Sequence, residues 1–344
     1  MILAWASASV NGYEIAVLSH VGFKKVDCVL CLAYMRQQQH IPLLAIVGPT
    51  AVGKTALAIA LSRALGGEIV SADSRQVYRG MDIGTAKPLA AERAAAPHHL
   101  IDVVDPDEEF SLARYQDLAT AAIADIAARG RLPLLVGGTG QYLAALLEGW
   151  HIPRVAPQPE LRAALEREAA QRGAAALHTR LALLDPVAAV GILPTNVRRV
   201  IRALEVHQLT GRPISEQQHK QTPPYRTKTL WLTRPPAELY DQIDARVDAM
   251  LAAGLPAEVR GLVERGYSWE LPAMSGLGYR EFQPYIAGRA TLEDAITRLK
   301  FDTHAFARRQ PGWFRRLPAL TPLPAATPGL LERALEWWHA DSDE

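Results

Sequence analysis

The stretch GPTAVGKT, residues 48–55, meets every fixed position of the pattern G-x-x-x-x-G-K-[ST]. An apolar run, PLLAIVG (42–48), leads into it, and KTALAIALSRAL follows at helical spacing until Gly66-Gly67 stops it. In that setting Gly48 and Gly53 let backbone N–H groups turn inward around phosphate oxygens at the positive end of a helix. Lys54 adds a point charge, the Thr55 hydroxyl is a candidate Mg²⁺ ligand, and Pro49, Thr50, Ala51 and Val52 complete the loop. Loops of this kind usually hold ATP or GTP. Which phosphates this one holds has to come from the rest of the chain.

Working outward, EIVSAD (68–73) reads as a second buried strand, HHLIDVV (98–104) as a weaker third and RLPLLVGG (131–138) as another. A helical pattern precedes the last of them, 111–130, with Ser111 as N-cap and Gly130 at the C-terminus, and another, GQYLAALLEG, follows it. Strand–helix alternation predicts an α/β fold, a P-loop NTPase-like parallel sheet. From 150 to 225 a proline-rich linker gives way to Ala-, Leu- and Arg-rich helical sequence, expected to form a helical insertion domain. KTLWLT (228–233) returns to the sheet, so 41–149 and 226–320 are expected to form the core. Residues 321–344 read as a proline-rich exit with a solvated acidic end.

Residues 1–40 lack the layout of a signal peptide, because Lys24 and Lys25 interrupt the apolar run. Met35, just ahead of the first convincing strand, is the expected start, with an unstructured or over-called extension before it. The only two cysteines, Cys28 and Cys31, have no second ligand pair at zinc spacing and read as reduced thiols. That fits a reducing, cytoplasmic setting. No apolar run reaches the length a transmembrane helix needs. A net charge of +1 over 344 residues gives no global reason to expect a polyanion partner, though a local basic patch can hide in a balanced total.

Asp73 ends a strand adjacent in sequence to the loop, at the edge where such sheets bind ligands. It is a candidate metal ligand or proton acceptor. SADSRQVYRGMDIGTAKP (71–88) is long, polar and aperiodic, and reads as a working surface rather than core. Taken in order with GPTAVGKT, LLVGGTGQYLAALLEG, RALEV, SGLGYRE and ARRQPGWFRR, it resembles the bacterial-type tRNA dimethylallyltransferases over about residues 42–316.

That resemblance implies transfer of a dimethylallyl group from dimethylallyl diphosphate to N6 of adenosine 37 in tRNAs reading codons that begin with U, with Mg²⁺ bridging the diphosphate oxygens. It implies that Asp73 is the base at N6, that Thr139 positions the amine, and that Arg246 reaches the diphosphate from the far side. The positions matched to tRNA contacts are Asp73, Ser74, Arg75, Gln76, Thr139, Arg162, Arg198, Arg199, Arg202, Gly278, Tyr279, Arg280, Arg308, Arg309, Gln310, Trp313 and Arg315. Pro311-Gly312 departs from the family pattern and is expected to bend or end a helix, displacing Trp313. A monomer is expected. The alternatives are an adenylate isopentenyltransferase and a P-loop small-molecule kinase.

Overall fold

The computed structural model describes residues 5–10, 13–18 and 40–340. Two units are distinguished, Met1–His40 and Ile41–Glu344. In the first, where the sequence suggests no structure, strands β1 (Trp5–Val10) and β2 (Tyr13–Leu18) pair antiparallel. Met35, Cys28, Cys31 and the terminal acidic residues 341–344 lie outside the described residues.

The second unit is built on six strands: β3 (Ile41–Val47), β4 (Gly67–Ala72), β5 (His98–His99), β6 (Leu132–Gly137), β7 (Tyr225–Thr233) and β8 (Leu320–Pro324). They lie side by side in the order β5-β4-β6-β3-β7-β8, all parallel. A sheet of parallel strands must be covered on both faces, which is why β3 reads as an unbroken apolar run. Tyr115, Ile123 and Ile126 of one helix and Leu143 and Leu146 of the next cover one face. Leu57, Ala58 and Leu61 of the helix that follows the loop cover the other.

That helix, α1 (Lys54–Leu65), begins at Gly53, whose φ of 106° lies in the left-handed region. Helix α2 (Leu112–Ala128) starts where Ser111 Oγ accepts from the Arg114 backbone nitrogen at 3.1 Å. Helix α3 (Gly140–Leu147) follows β6 directly. Strand β6 ends in glycine because a Cβ on Gly137 would sit 2.2 Å from the Ala72 carbonyl oxygen of β4.

Two expectations change. The third strand is only two residues long, because Leu100 (φ 63°) and Asp102 (φ 57°) turn left-handed and break it. There Asp102 receives Lys87 and Arg93. The proline-rich end is not a free exit: residues 320–324 form the edge strand β8, where prolines without an N–H are tolerated. The helix Leu330–His339 then packs Leu331, Leu335 and Trp338 against the core on the α1 side.

Residues 150–225 hold helices. Helices α4 (Pro159–Arg172), α5 (Ala174–Leu184) and α6 (Val197–Thr210) enclose a core of their own around Leu165, Leu181, Val200 and Leu204. After β7 come α7 (Pro236–Ala252), α8 (Leu255–Glu264) and α9 (Leu292–Arg309). As Pro311 predicts, α9 stops at Arg309 and a separate turn, Pro311–Phe314, begins with proline in its first position. Phe314 is wholly buried, and Trp313 lies against Gly140, where an added Cβ would come within 2.3 Å of its ring.

Candidate functional site

The strand order places β6 between β4 and β3. The carboxyl ends of these three neighbours therefore carry Asp73, the Gly138-Thr139 pair and the 48–55 loop side by side. Together they line a cavity of about 310 Å³, closed by α7, α9 and the 275–280 segment. Thr50, Ala51, Lys54, Thr55, Asp73, Ser74, Arg75, Thr139, Arg246 and Arg309 all face it.

Lys54 Nζ donates to the carbonyl oxygens of Gly48 at 2.9 Å and Pro49 at 2.7 Å. Burial, with the Arg246 charge second, lowers its pKa to about 7, while Asp73 pulls in the opposite direction. The Arg246 side chain makes no hydrogen bond among the described residues, and burial lowers its pKa too, partly offset by the Asp73 carboxylate. Two cations crowded out of water in one cavity make it suited to an anion. The Thr55 hydroxyl lines the same cavity with no hydrogen-bond partner among the described residues.

Asp73 Oδ1 accepts from the Arg75 backbone nitrogen at 2.8 Å, which turns the chain out of β4. The Thr139 hydroxyl accepts from the Ser74 backbone nitrogen at 3.0 Å and points back to Ser74 Oγ at 3.4 Å. The base candidate and the hydroxyl thus sit at the ends of neighbouring strands and are tied together by Ser74.

Several residues expected to contact tRNA do other work. Gln310 is buried: its Oε1 accepts from Thr50 N at 2.9 Å and its Nε2 donates to Gly138 O at 2.9 Å. Gln76 accepts from Ser71 Oγ at 3.2 Å and donates toward the carbonyls of Thr85 and Ala86, closing the 71–88 segment on itself. Tyr279 is fully buried, its hydroxyl donating to Glu258 at 2.7 Å, and Gly278 is buried against Gly84. Arg162 and Arg202 both clamp Glu205, which is itself fully buried. Burial pushes the Glu205 carboxyl up, but bonds from Arg162, the Gln158 N–H and Arg202 outweigh it and hold the group below its usual range. Arg280 is exposed but paired with Glu281 at 2.6 Å and Asp302 at 3.2 Å. Arg75 donates to Pro272 O at 2.5 Å, and Arg308 to the Tyr240 hydroxyl at 3.2 Å.

Of the arginines matched to tRNA contacts, Arg198, Arg199, Arg309 and Arg315 remain exposed without a side-chain partner among the described residues. The sequence reading missed the apolar side of the cavity: Ile243, Val247 and Met250 from α7, Leu299 and Phe306 from α9, and Leu277. The i, i+4, i+7 spacing of Ile243, Val247 and Met250 was a usable signal, but it looks the same for a helix packed on core.

The parallel sheet, the phosphate-binding loop on its central strand and the carboxylate two strands away, across β6, define a P-loop-type α/β transferase. The family model for IPP transferase matches residues 76–317, and the model for isopentenyl transferase matches residues 41–102. The chain belongs to the IPP transferase family. It is 73% identical over 294 residues to the tRNA dimethylallyltransferase of Roseiflexus castenholzii, spanning 86% of this chain and 96% of that protein. It is 67% identical over 278 residues to that of Chloroflexus aurantiacus, spanning 81% and 94%. Among solved structures, the tRNA isopentenylpyrophosphate transferase of Bacillus halodurans is 42% identical, with a TM-score of 0.62 over 87% of this chain and 99% of that one. A eukaryotic dimethylallyltransferase described as acting on tRNA is 30% identical, with a TM-score of 0.72 over 88% and 76%.

Proposed function

We infer that this enzyme transfers the dimethylallyl group of dimethylallyl diphosphate to N6 of adenosine 37 in tRNAs reading codons that begin with U. The observation that carries this is the meeting of Asp73, Thr139 and the 48–55 loop at three adjacent strand ends on one cavity. In the transfer, the N6 lone pair forms a bond to C1 of the prenyl group as the C1–oxygen bond breaks. The N6 proton passes to the Asp73 carboxylate, and the electron pair leaves with the diphosphate. Lys54, Arg246 and the loop amides stabilise the charge growing on the departing oxygens. Thr139 orients the amine.

A divalent ion fits this donor set. Mg²⁺ keeps most of its waters and takes one or two protein ligands beside phosphate oxygens. The Thr55 hydroxyl, in the same cavity, would be such a ligand, leaving the Asp73 carboxylate to take the N6 proton. When bound, the ion supplies further neutralisation of the leaving group.

Of the positions matched to tRNA contacts, Arg309 at the cavity, with Arg198, Arg199 and Arg315, are free to neutralise RNA phosphates. Adenosine 37 has to leave the anticodon stack to enter a cavity of this kind. No described helix is long and apolar enough to cross a membrane. We place the enzyme in the cytoplasm with its tRNA, acting as a monomer.

The test is incubation with Mg²⁺, labelled dimethylallyl diphosphate and an anticodon stem-loop bearing A36-A37-A38, beside free AMP and ATP. Label on N6 of the RNA is the expected result. Label on AMP alone, or phosphate released from ATP alone, overturns it.

A further inference from the structure

Glu258 lies in the first turn of α8 and does not line the cavity. Its carboxylate nevertheless receives four hydrogen bonds. Three come from the consecutive backbone nitrogens of Asp82 (2.9 Å), Ile83 (2.8 Å) and Gly84 (3.1 Å), and one from the Tyr279 hydroxyl (2.7 Å). Three successive amides converging on one carboxylate form a nest, a conformation an anion stabilises.

The two segments it joins are walls of the cavity. Gly84, Thr85 and Ala86 line it from one side of this junction, and Leu277, Gly278 and Arg280 from the other. Neither wall belongs to the sheet or to a long helix, so no backbone ladder sets their separation. They touch closely: a Cβ on Gly84 would sit 2.6 Å from the Tyr279 ring, and one on Gly278 2.9 Å from Gly84 O. Ala86 holds a left-handed φ of 46° within the first wall, a conformation an alanine does not choose unaided. On its other flank that wall is pinned by buried Lys87, which bonds Asp82 at 2.7 Å.

We propose that Glu258 is a positioning residue for prenyl transfer. It sets the 82–86 and 277–280 walls against each other, and so shapes the part of the cavity that admits the nucleotide, separately from the 48–55 loop that grips diphosphate. This role rests on the function proposed above.

The test compares Glu258→Gln and Tyr279→Phe with the wild type. A glutamine keeps the shape but presents an NH₂ where the carboxylate accepts, so it cannot satisfy four donors. Tyr279→Phe removes one bond and leaves the nest. Inorganic diphosphate binding with Mg²⁺, by calorimetry, reports the loop; kcat and KM for the stem-loop report the walls. Glu258→Gln is expected to bind diphosphate at one site per chain within about twofold of the wild-type Kd, while kcat/KM for the stem-loop falls about tenfold or more. Tyr279→Phe is expected to show the same split, reduced to about threefold, which carries the test if the first variant does not fold. Wild-type kcat/KM in the variants, or diphosphate sites lost in proportion to activity, overturns the role. A wild-type chain that leaves the stem-loop unlabelled overturns the functional reading and this role with it. An active wild type matched by the variants overturns the role alone.

Discussion

The Gln310 side chain accepts a hydrogen bond from the Thr50 backbone nitrogen at 2.9 Å, joining the end of α9 to the phosphate loop across 260 positions of sequence. Its amide nitrogen donates to Gly138 at the end of β6 at 2.9 Å, so one side chain braces two of the three strand-end loops. Gln310→Ala removes both bonds, and each group left unpaired costs about 1–3 kcal/mol. We expect diphosphate Kd to rise about tenfold, the equivalent of roughly 1.4 kcal/mol, with the fold retained. Calorimetric titration with inorganic diphosphate checks this, and an unchanged Kd would show that the loop holds its shape without the brace.

Lys54, lowered to about 7 by burial and Arg246, makes diphosphate binding depend on pH. A bound dianion raises the lysine pKa again, so binding takes up a proton wherever the free group has lost it. Below about pH 7 the free lysine is already charged and affinity is flat on this account. Above it, affinity falls as pH rises, by at most about tenfold per unit. Titrations at pH 8 in buffers of different ionisation enthalpy should register uptake approaching one proton; none taken up would contradict the assignment.

Asp73→Ala should lower kcat by at least about 10²-fold, the scale of lost general-base catalysis. Because Asp73 also shapes the turn through the Arg75 nitrogen, Asp73→Asn is the companion variant that keeps that bond. Stem-loop affinity in both is expected to stay within about twofold of wild type, since one carboxylate adds nothing favourable to phosphate contacts. A collapse of RNA binding in Asp73→Asn would remove the base assignment.

The paired and free arginines of the insertion should behave differently. Arg198→Ala/Arg199→Ala is expected to weaken RNA binding and reduce the slope of log affinity against log salt by about two. Arg162→Ala instead deprives the buried Glu205 of a bidentate partner, leaving Arg202 and the Gln158 N–H. That variant should lose about 1–3 kcal/mol of stability in denaturant melts, with the salt slope nearly unchanged. Equal slopes in the two variants would undo the distinction.

The fold class was legible because its signals are local. Buried parallel strands read as short apolar runs, glycines mark their ends, Ser111 announces a helix start and Pro311 a helix end where the structure has them. The edge strand β8 escaped notice because its prolines argue against a strand unless its outer side is known to be unpaired. The 98–104 strand was overestimated because an apolar run does not register that Leu100 and Asp102 take left-handed angles.

The sequence by itself determined the cradle and the order of the elements: a glycine loop, its lysine and threonine, and a carboxylate ending the next strand. Those follow from spacing along the chain. Only the tertiary structure decided which charged and polar residues are available for chemistry. Arg162, Arg202, Gln76, Gln310 and Tyr279 look like ligand-binding groups until partners distant in sequence take up their hydrogen bonds. Arg198, Arg199, Arg246 and Arg309 look the same and are left without such partners among the described residues. The physical reason is that a buried carboxylate such as Glu205 or a loop amide such as that of Thr50 must be satisfied by whatever side chain folding brings to it, and spacing along the sequence does not encode that arrival.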